Sequence, residues 1–224
     1  MGIPFESMKE LIVDICSVHD SYSRDFIGAV QGEMLNLKKK RIDSIITNDQ
    51  DEEQQNFHLF DPSFLDLIQN YQDALGKQVV YMDYDFDYRH FDFRLRIKQK
   101  DSIINKLFHY RYAKAEQGGV SINKCLNDLL GFRIMIDDFD HASTDVDDFL
   151  DDIKSSIGYK LNCNNACKDD YKATHIYING DNKYFPWELQ IWNPIDAERN
   201  EQSHKEHKSK REYIKWPQEY KEGH

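Results

Sequence analysis

The sequence predicts an α+β fold, a mixed sheet of about five strands with helices around it. Runs of strand length, apolar or alternating, occupy residues 93–98, 129–136, 171–178 and 187–192. Stretches with apolar residues at helical spacing precede and separate them. The last two strand runs flank Asn179-Gly180-Asp181-Asn182, a turn signal that pairs them as a hairpin.

Composition narrows the class. In 224 residues, 40% hydrophobic and 13% aromatic side chains are enough for a full core and too many for a disordered chain. The net charge of −11 argues against a broad nucleic-acid footprint and against anionic membrane surfaces, while leaving room for a local basic pocket. No apolar run approaches a membrane span, and the N-terminus carries neither a signal-peptide pattern nor the hydroxyl residue of a myristoylation site, Glu6 standing there instead. Cys16, Cys125, Cys163 and Cys167 are scattered, which points to reduced thiols in a cytoplasmic protein rather than to zinc. No membrane association is expected.

Residues 5–45 read as helical from the spacing of Leu11, Ile12, Ile15, Val18, Phe26, Ile27, Val30 and Met34. Within them, Leu37-Lys-Lys-Lys-Arg-Ile42 is either a solvated face or a small phosphate or RNA contact. His19 reads as a surface or packing residue. The polar run 48–56 reads as a loop. Asp61-Pro62-Ser63 opens a helix that Gly76 ends, and the Tyr-, Phe- and Asp-rich stretch 79–93 reads as one or two strands.

Phe93-Arg-Leu-Arg-Ile-Lys98 puts Arg94, Arg96 and Lys98 on one strand face. A helix follows, starting at Asp101 or Ser102, with Lys106 one turn beyond Ser102. Cations, a hydroxyl and a helix N-terminus together suit a polyphosphate, although a salt-bridged surface strand fits the same spacing. Residues 129–136 read as a strand buried on both faces, whose Asp128 and Arg133 need partners, either each other or a site. Gly131 admits a close approach by a ligand or a neighbouring strand. Residues 137–152 form an acidic loop leading into a helix at 146–157, and 159–170 a polar loop. Alternation then sets Tyr171, Ala173 and His175 on one face of a strand, and Glu188 with Gln190 on one face of the next. From Ala197 onward the chain reads as a charged helix ending in a Trp-Pro tail.

In this order the pieces resemble the synthetase domain of RelA/SpoT-like alarmone synthetases, of the small single-domain kind. Arg96-Ile-Lys-Gln-Lys-Asp-Ser-Ile-Ile-Asn-Lys106 is similar to the family's R-x-K-x-x-x-S-x-x-x-K motif, and Asp128-Leu-Leu-Gly-Phe-Arg133 to its D-x-x-G-x-R strand. Tyr171-Lys-Ala-Thr-His175 resembles Y-[KRQ]-S-x-H, and Glu188-Leu-Gln-Ile191 resembles E-x-Q-I. The resemblance implies a nucleotidyltransferase-like synthetase domain over 76–215, a helical extension over 1–75 too short for a hydrolase domain, and a tail over 216–224. It implies a GTP pyrophosphokinase that moves the β,γ-diphosphate of ATP to the 3′-hydroxyl of GDP or GTP. Asp128 and Glu188 would hold Mg²⁺, with Glu188 also taking the hydroxyl proton. Arg96 and Arg133 would sandwich the adenine, and Lys98, Ser102 and Lys106 would bind the ATP phosphates. Tyr171 would stack on the acceptor base, with Lys172, His175, Gln190 and His204 around the rest of the acceptor.

Three departures fall on the acceptor side: Trp192-Asn193 in place of Arg-Thr, Asp170 in place of glycine, and Lys168 one position closer to the tyrosine than usual. They leave two alternatives to the guanosine acceptor. One is the 3′ end of tRNA, which some family toxins modify; the other is a catalytically inactive nucleotide-binding regulator. The resemblance further makes a homo-oligomer or an antitoxin the partners to look for.

Overall fold

The structure, a computed structural model, describes residues 3–30, 32–50 and 56–210. Helix α1 (Ile3–Ala29) buries Met8, Leu11, Ile12, Ile15, His19, Tyr22 and Phe26, a stripe that recurs every three or four positions. It stops well short of the expected residue 45. Strands β1 (Ile46–Gln50) and β2 (Asn56–Phe60) pair antiparallel, so much of the polar stretch read as a loop is strand, and 51–55 lie outside the described residues. Cross-strand pairing outweighed a composition poor in strand formers.

Helix α2 (Pro62–Val79) is capped as its sequence foretells, the Asp61 carboxylate accepting from the Ser63 and Phe64 amides. It runs through Gly76 instead of ending there, and its last residue, Val79, packs partly buried against the core. The stretch 79–93 is not strand: α3 (Tyr84–Asp87) and a further helical turn (Arg89–Phe91) sink Tyr84, Tyr88 and Phe91 into the core. Strand β3 (Arg94–Ile97) follows, then α4 (Lys100–Phe108), which starts with Gln99 as its cap, ahead of Asp101 and Ser102.

Helix α5 (Ile122–Cys125) leads to β4 (Leu130–Met135), then α6 (Asp145–Ile157), β5 (Leu161–Asn165), β6 (Thr174–Ile178), β7 (Trp187–Trp192) and α7 (Ala197–Lys210). The expected loop over 159–170 thus contains an edge strand, held because its backbone pairs with β6. The strand expected from Tyr171 begins at Thr174, and the expected Trp-Pro tail lies outside the described residues. The fold is α+β, with one five-stranded mixed sheet in the order β3-β4-β7-β6-β5 flanked by helices. Strands β4 and β7 run parallel and every other neighbouring pair is antiparallel, the β6–β7 hairpin included.

The sheet divides its side chains by parity. Leu130, Phe132, Ile134, Ile176, Ile178, Trp187, Leu189 and Ile191 are buried on one face, against which α1 and α6 pack. Arg94, Arg96, Arg133, His175, Tyr177, Glu188 and Gln190 alternate with them on the other. Strand β4 is therefore fully buried on one side only; Gly131, Arg133 and Met135 are half-buried on a polar face. That face carries the candidate site.

Candidate active site

Asp128 ends the turn between α5 and β4. Its Oδ2 accepts from Lys98 Nζ at 2.6 Å and its Oδ1 from Lys106 Nζ at 3.0 Å, while Lys106 also donates to Asn127 Oδ1 at 3.0 Å. Lys98 comes from the end of β3, where Gln72 Nε2 holds its carbonyl, and Lys106 from α4. Burial alone would raise the Asp128 pKa, but the two ammonium groups outweigh it and hold the carboxyl down at about 2. Asp128 and Arg133 do not pair with each other. Asp128 takes the lysines, and Arg133 donates to Glu201 of α7 at 2.7 Å.

Glu188 is 7% exposed on β7. Gln190 Nε2 donates to its Oε2 at 2.7 Å, and His175 Nδ1 lies 3.1 Å from its Oε1. A carboxylate only accepts, so the Nδ1 proton belongs to His175, and His175 Nε2 then accepts from the Tyr171 hydroxyl at 2.9 Å. Burial pushes the Tyr171 phenol up, so it remains a donor. Both carboxylates act on the same ammonium: Asp128 and Glu188 each favour the charged form of Lys98, against the burial that lowers its pKa. Asp128, Lys98, Lys106 and Asn127 thus form one polar cluster and Glu188, Gln190, His175 and Tyr171 a second, and Glu188 acts across the space between them on the Lys98 ammonium.

The other expected residues divide. Arg96 is exposed on β3 beside Gly131, on the same face. Arg133 lies over the Trp192 ring at 4.2 Å, and its buried Nε has no hydrogen-bond partner among the described residues. Ser102 is half-buried on the first turn of α4. Lys172 is elsewhere. Its ammonium reaches toward Asp196 at 3.7 Å and lines a separate cavity of about 690 Å³ with His141, Lys168 and Arg199. Buried Asn200 pins the Lys172 backbone through both its amide and its carbonyl. His204 lies on α7, and its side chain is outside the described ones.

Four residues not expected at the site touch it: Tyr177 meets His175, Asn127 meets Lys106, and Trp192 and Glu201 meet Arg133. Tyr177 had a legible signal, since strand alternation puts it on the face of His175. The part played by Glu201 depends on how α7 crosses the sheet, which no local pattern records.

The molecule is an α+β protein with two acidic groups and a set of lysines and arginines on one open sheet face. Among the described residues no group of three or more His, Cys, Asp or Glu side chains is arranged to hold a metal by itself, and no helix is long and apolar enough to cross a membrane. No family model matches the chain, and no curated protein does. Among solved structures, the small alarmone synthetase 1 from Bacillus subtilis is similar at a TM-score of 0.37 and 16% identity, over 64% of this chain and 76% of that one. At that TM-score the likeness is too loose to bear on fold or function.

Proposed function

We propose that the chain is a (p)ppGpp synthetase: it transfers the β,γ-diphosphate of ATP to the 3′-hydroxyl of GDP or GTP and releases AMP. The observation that carries the reading is that Lys98, ion-paired at 2.6 Å with Asp128 just before β4, also lies in the field of Glu188 on β7. Four sequence motifs far apart along the chain supply these two neighbouring clusters, and chance similarity of short motifs gives no reason for them to lie together.

On this reading Lys98, Lys106 and Ser102 take the ATP phosphates, and Arg96 with Arg133 holds the adenine. The unpartnered Nε and the stacked guanidinium of Arg133 suit that role. Glu188 accepts the proton of the attacking 3′-hydroxyl, Tyr171 stacks on the acceptor base, and Gln190 and His204 complete the acceptor side. Asp128 and Glu188 are hard oxygen donors of the kind Mg²⁺ takes alongside phosphate oxygens and water, so the residues fit that ion. Bound there, it would supply charge neutralisation at the transferred group. On the same reading the synthetase unit is 76–215, extended by 1–75, and a cytoplasmic location suits its use of ATP and its free cysteines.

One observation favours a tRNA acceptor as the second reading. The basic run at 38–41 is hydrogen-bonded to the segment leading into Asp128, Ile122 and Asn123 donating to the carbonyls of Lys40 and Leu37. Incubation with γ-labelled ATP, Mg²⁺ and GDP, GTP or deacylated tRNA separates the readings. Label on guanosine nucleotide is expected; label on tRNA alone replaces the acceptor, and AMP-free reactions with no transfer sink the enzyme reading. Glu188→Gln is expected to abolish transfer, by at least ~100-fold for a lost general base, while ATP binding by calorimetry persists. Tyr171→Ala is expected to raise the acceptor KM about tenfold or more, with the ATP KM little changed, as loss of one stacking contact implies.

A further inference from the structure

Tyr177 faces Glu188 directly across the β6–β7 ladder, in a register that sets their side chains on the same face. Its hydroxyl lies in the field of the Glu188 carboxylate and, more weakly, of Asp128. The same hydroxyl is hydrogen-bonded to His175 Nδ1 at 3.3 Å, and that atom lies 3.1 Å from Glu188 Oε1. Burial, with the two carboxylates adding to it, pushes the phenol up, so the oxygen carries its proton and serves as a donor.

Glu188 therefore receives Gln190 Nε2–H on one oxygen, while His175 Nδ1 lies 3.1 Å from the other and 3.3 Å from the Tyr177 hydroxyl. A donor at one oxygen and the His175–Tyr177 pair against the other restrict the rotation of the carboxylate about its last bond, a torsion that is otherwise broad. His175 is itself held at Nε2 by Tyr171, so the clamp reaches from the acceptor side to the carboxylate. Nothing on the apolar face demands a phenol at this position. Tyr177 points away from that face and is half-buried, and a phenylalanine would pack as well.

We propose that Tyr177 is a positioning residue for the transfer reaction: its phenol, opposite Glu188 and beside His175 Nδ1, holds the Glu188 carboxylate in the orientation from which it meets the acceptor hydroxyl. The proposal rests on the synthetase reading, and its test separates the two. Full-length wild type, Tyr177→Phe and Tyr177→Leu are compared in transfer with Mg²⁺, ATP and the acceptor that wild type uses. Tyr177→Phe is expected to lose kcat by about tenfold to a hundredfold, the range for one hydrogen bond to a charged group, with the ATP KM within about twofold. A phenylalanine variant with wild-type kcat overturns the proposal, since it keeps the ring and lacks only the hydroxyl. A loss in Tyr177→Leu alone overturns it equally, because it then reports packing.

The second measurement needs no turnover. In protein labelled at the glutamate side-chain carboxyl with ¹³C, the resonance missing from Glu188→Gln identifies Glu188. It is expected to shift or broaden in Tyr177→Phe at constant pH, and an unmoved resonance overturns the contact whatever the activity. A wild type with no transfer, together with a moved resonance, would sink the synthetase reading and leave the clamp on Glu188 standing.

Discussion

Gly131 on β4 and Asp128 in the turn before it show how single residues separate stability from binding. A Cβ added at Gly131 would find its nearest neighbour, the Arg96 carbonyl oxygen, at 3.9 Å, an ordinary contact. The glycine is thus not needed for the approach of the neighbouring strand; it keeps the sheet face clear between Arg96 and Glu188, its partners on either side. Gly131→Val is expected to leave thermal stability unchanged or raise it by up to ~1 kcal/mol, since glycine is poor in a strand interior. It should weaken ATP binding at least tenfold, an outcome that calorimetry beside thermal denaturation checks. At Asp128 the sequence declared that a buried acid needs partners. Which partners it has depends on β3 and α4 reaching the same turn from 30 and 22 residues away.

At the scale of elements, local signals succeeded where the chemistry is local. The start of α2 is written in Asp61-Pro62-Ser63, and Asp61→Ala is expected to cost about 1 kcal/mol in urea denaturation, the usual value for a lost N-cap. The β6–β7 hairpin is written in its alternation and its turn residues. Strands β1 and β5 were missed because their residues, Ile-Thr-Asn-Asp-Gln and Leu-Asn-Cys-Asn-Asn, are polar and strand-poor. Such segments become strand through ladder hydrogen bonds to a partner, which no window of sequence contains. The stretch 79–93 failed in the opposite sense: its aromatics suit strands, yet Tyr84, Tyr88 and Phe91 fill the core from helical turns.

For the whole molecule, the junction of α1 with the sheet governs stability toward acid. His19 is fully buried, Nε2–H donating to the Phe185 carbonyl at 2.9 Å and Nδ1 accepting from the Tyr159 hydroxyl at 2.7 Å. Every ring nitrogen is satisfied in the neutral form, and burial lowers the pKa from 6.5 to about 4. The unfolded chain binds a proton near 6.5 and the folded one does not until about 4, so stability present above pH 6.5 is lost as pH falls toward 4. The loss amounts to about 3 kcal/mol at most, and His141, lowered chiefly by burial, adds to it in the same sense. Urea unfolding at pH 7 and pH 4.5 should show the fall, and His19→Gln should remove most of it.

By itself the sequence determined the α+β class, the hairpin and the cap of α2, because alternation and turn chemistry act between neighbours along the chain. Only the tertiary structure decided that Asp128 holds two lysines rather than Arg133, that Lys172 lines a separate cavity, and that Tyr177 meets His175. Those outcomes follow from strand order and register, which bring together groups whose separation in sequence carries no trace of their contact.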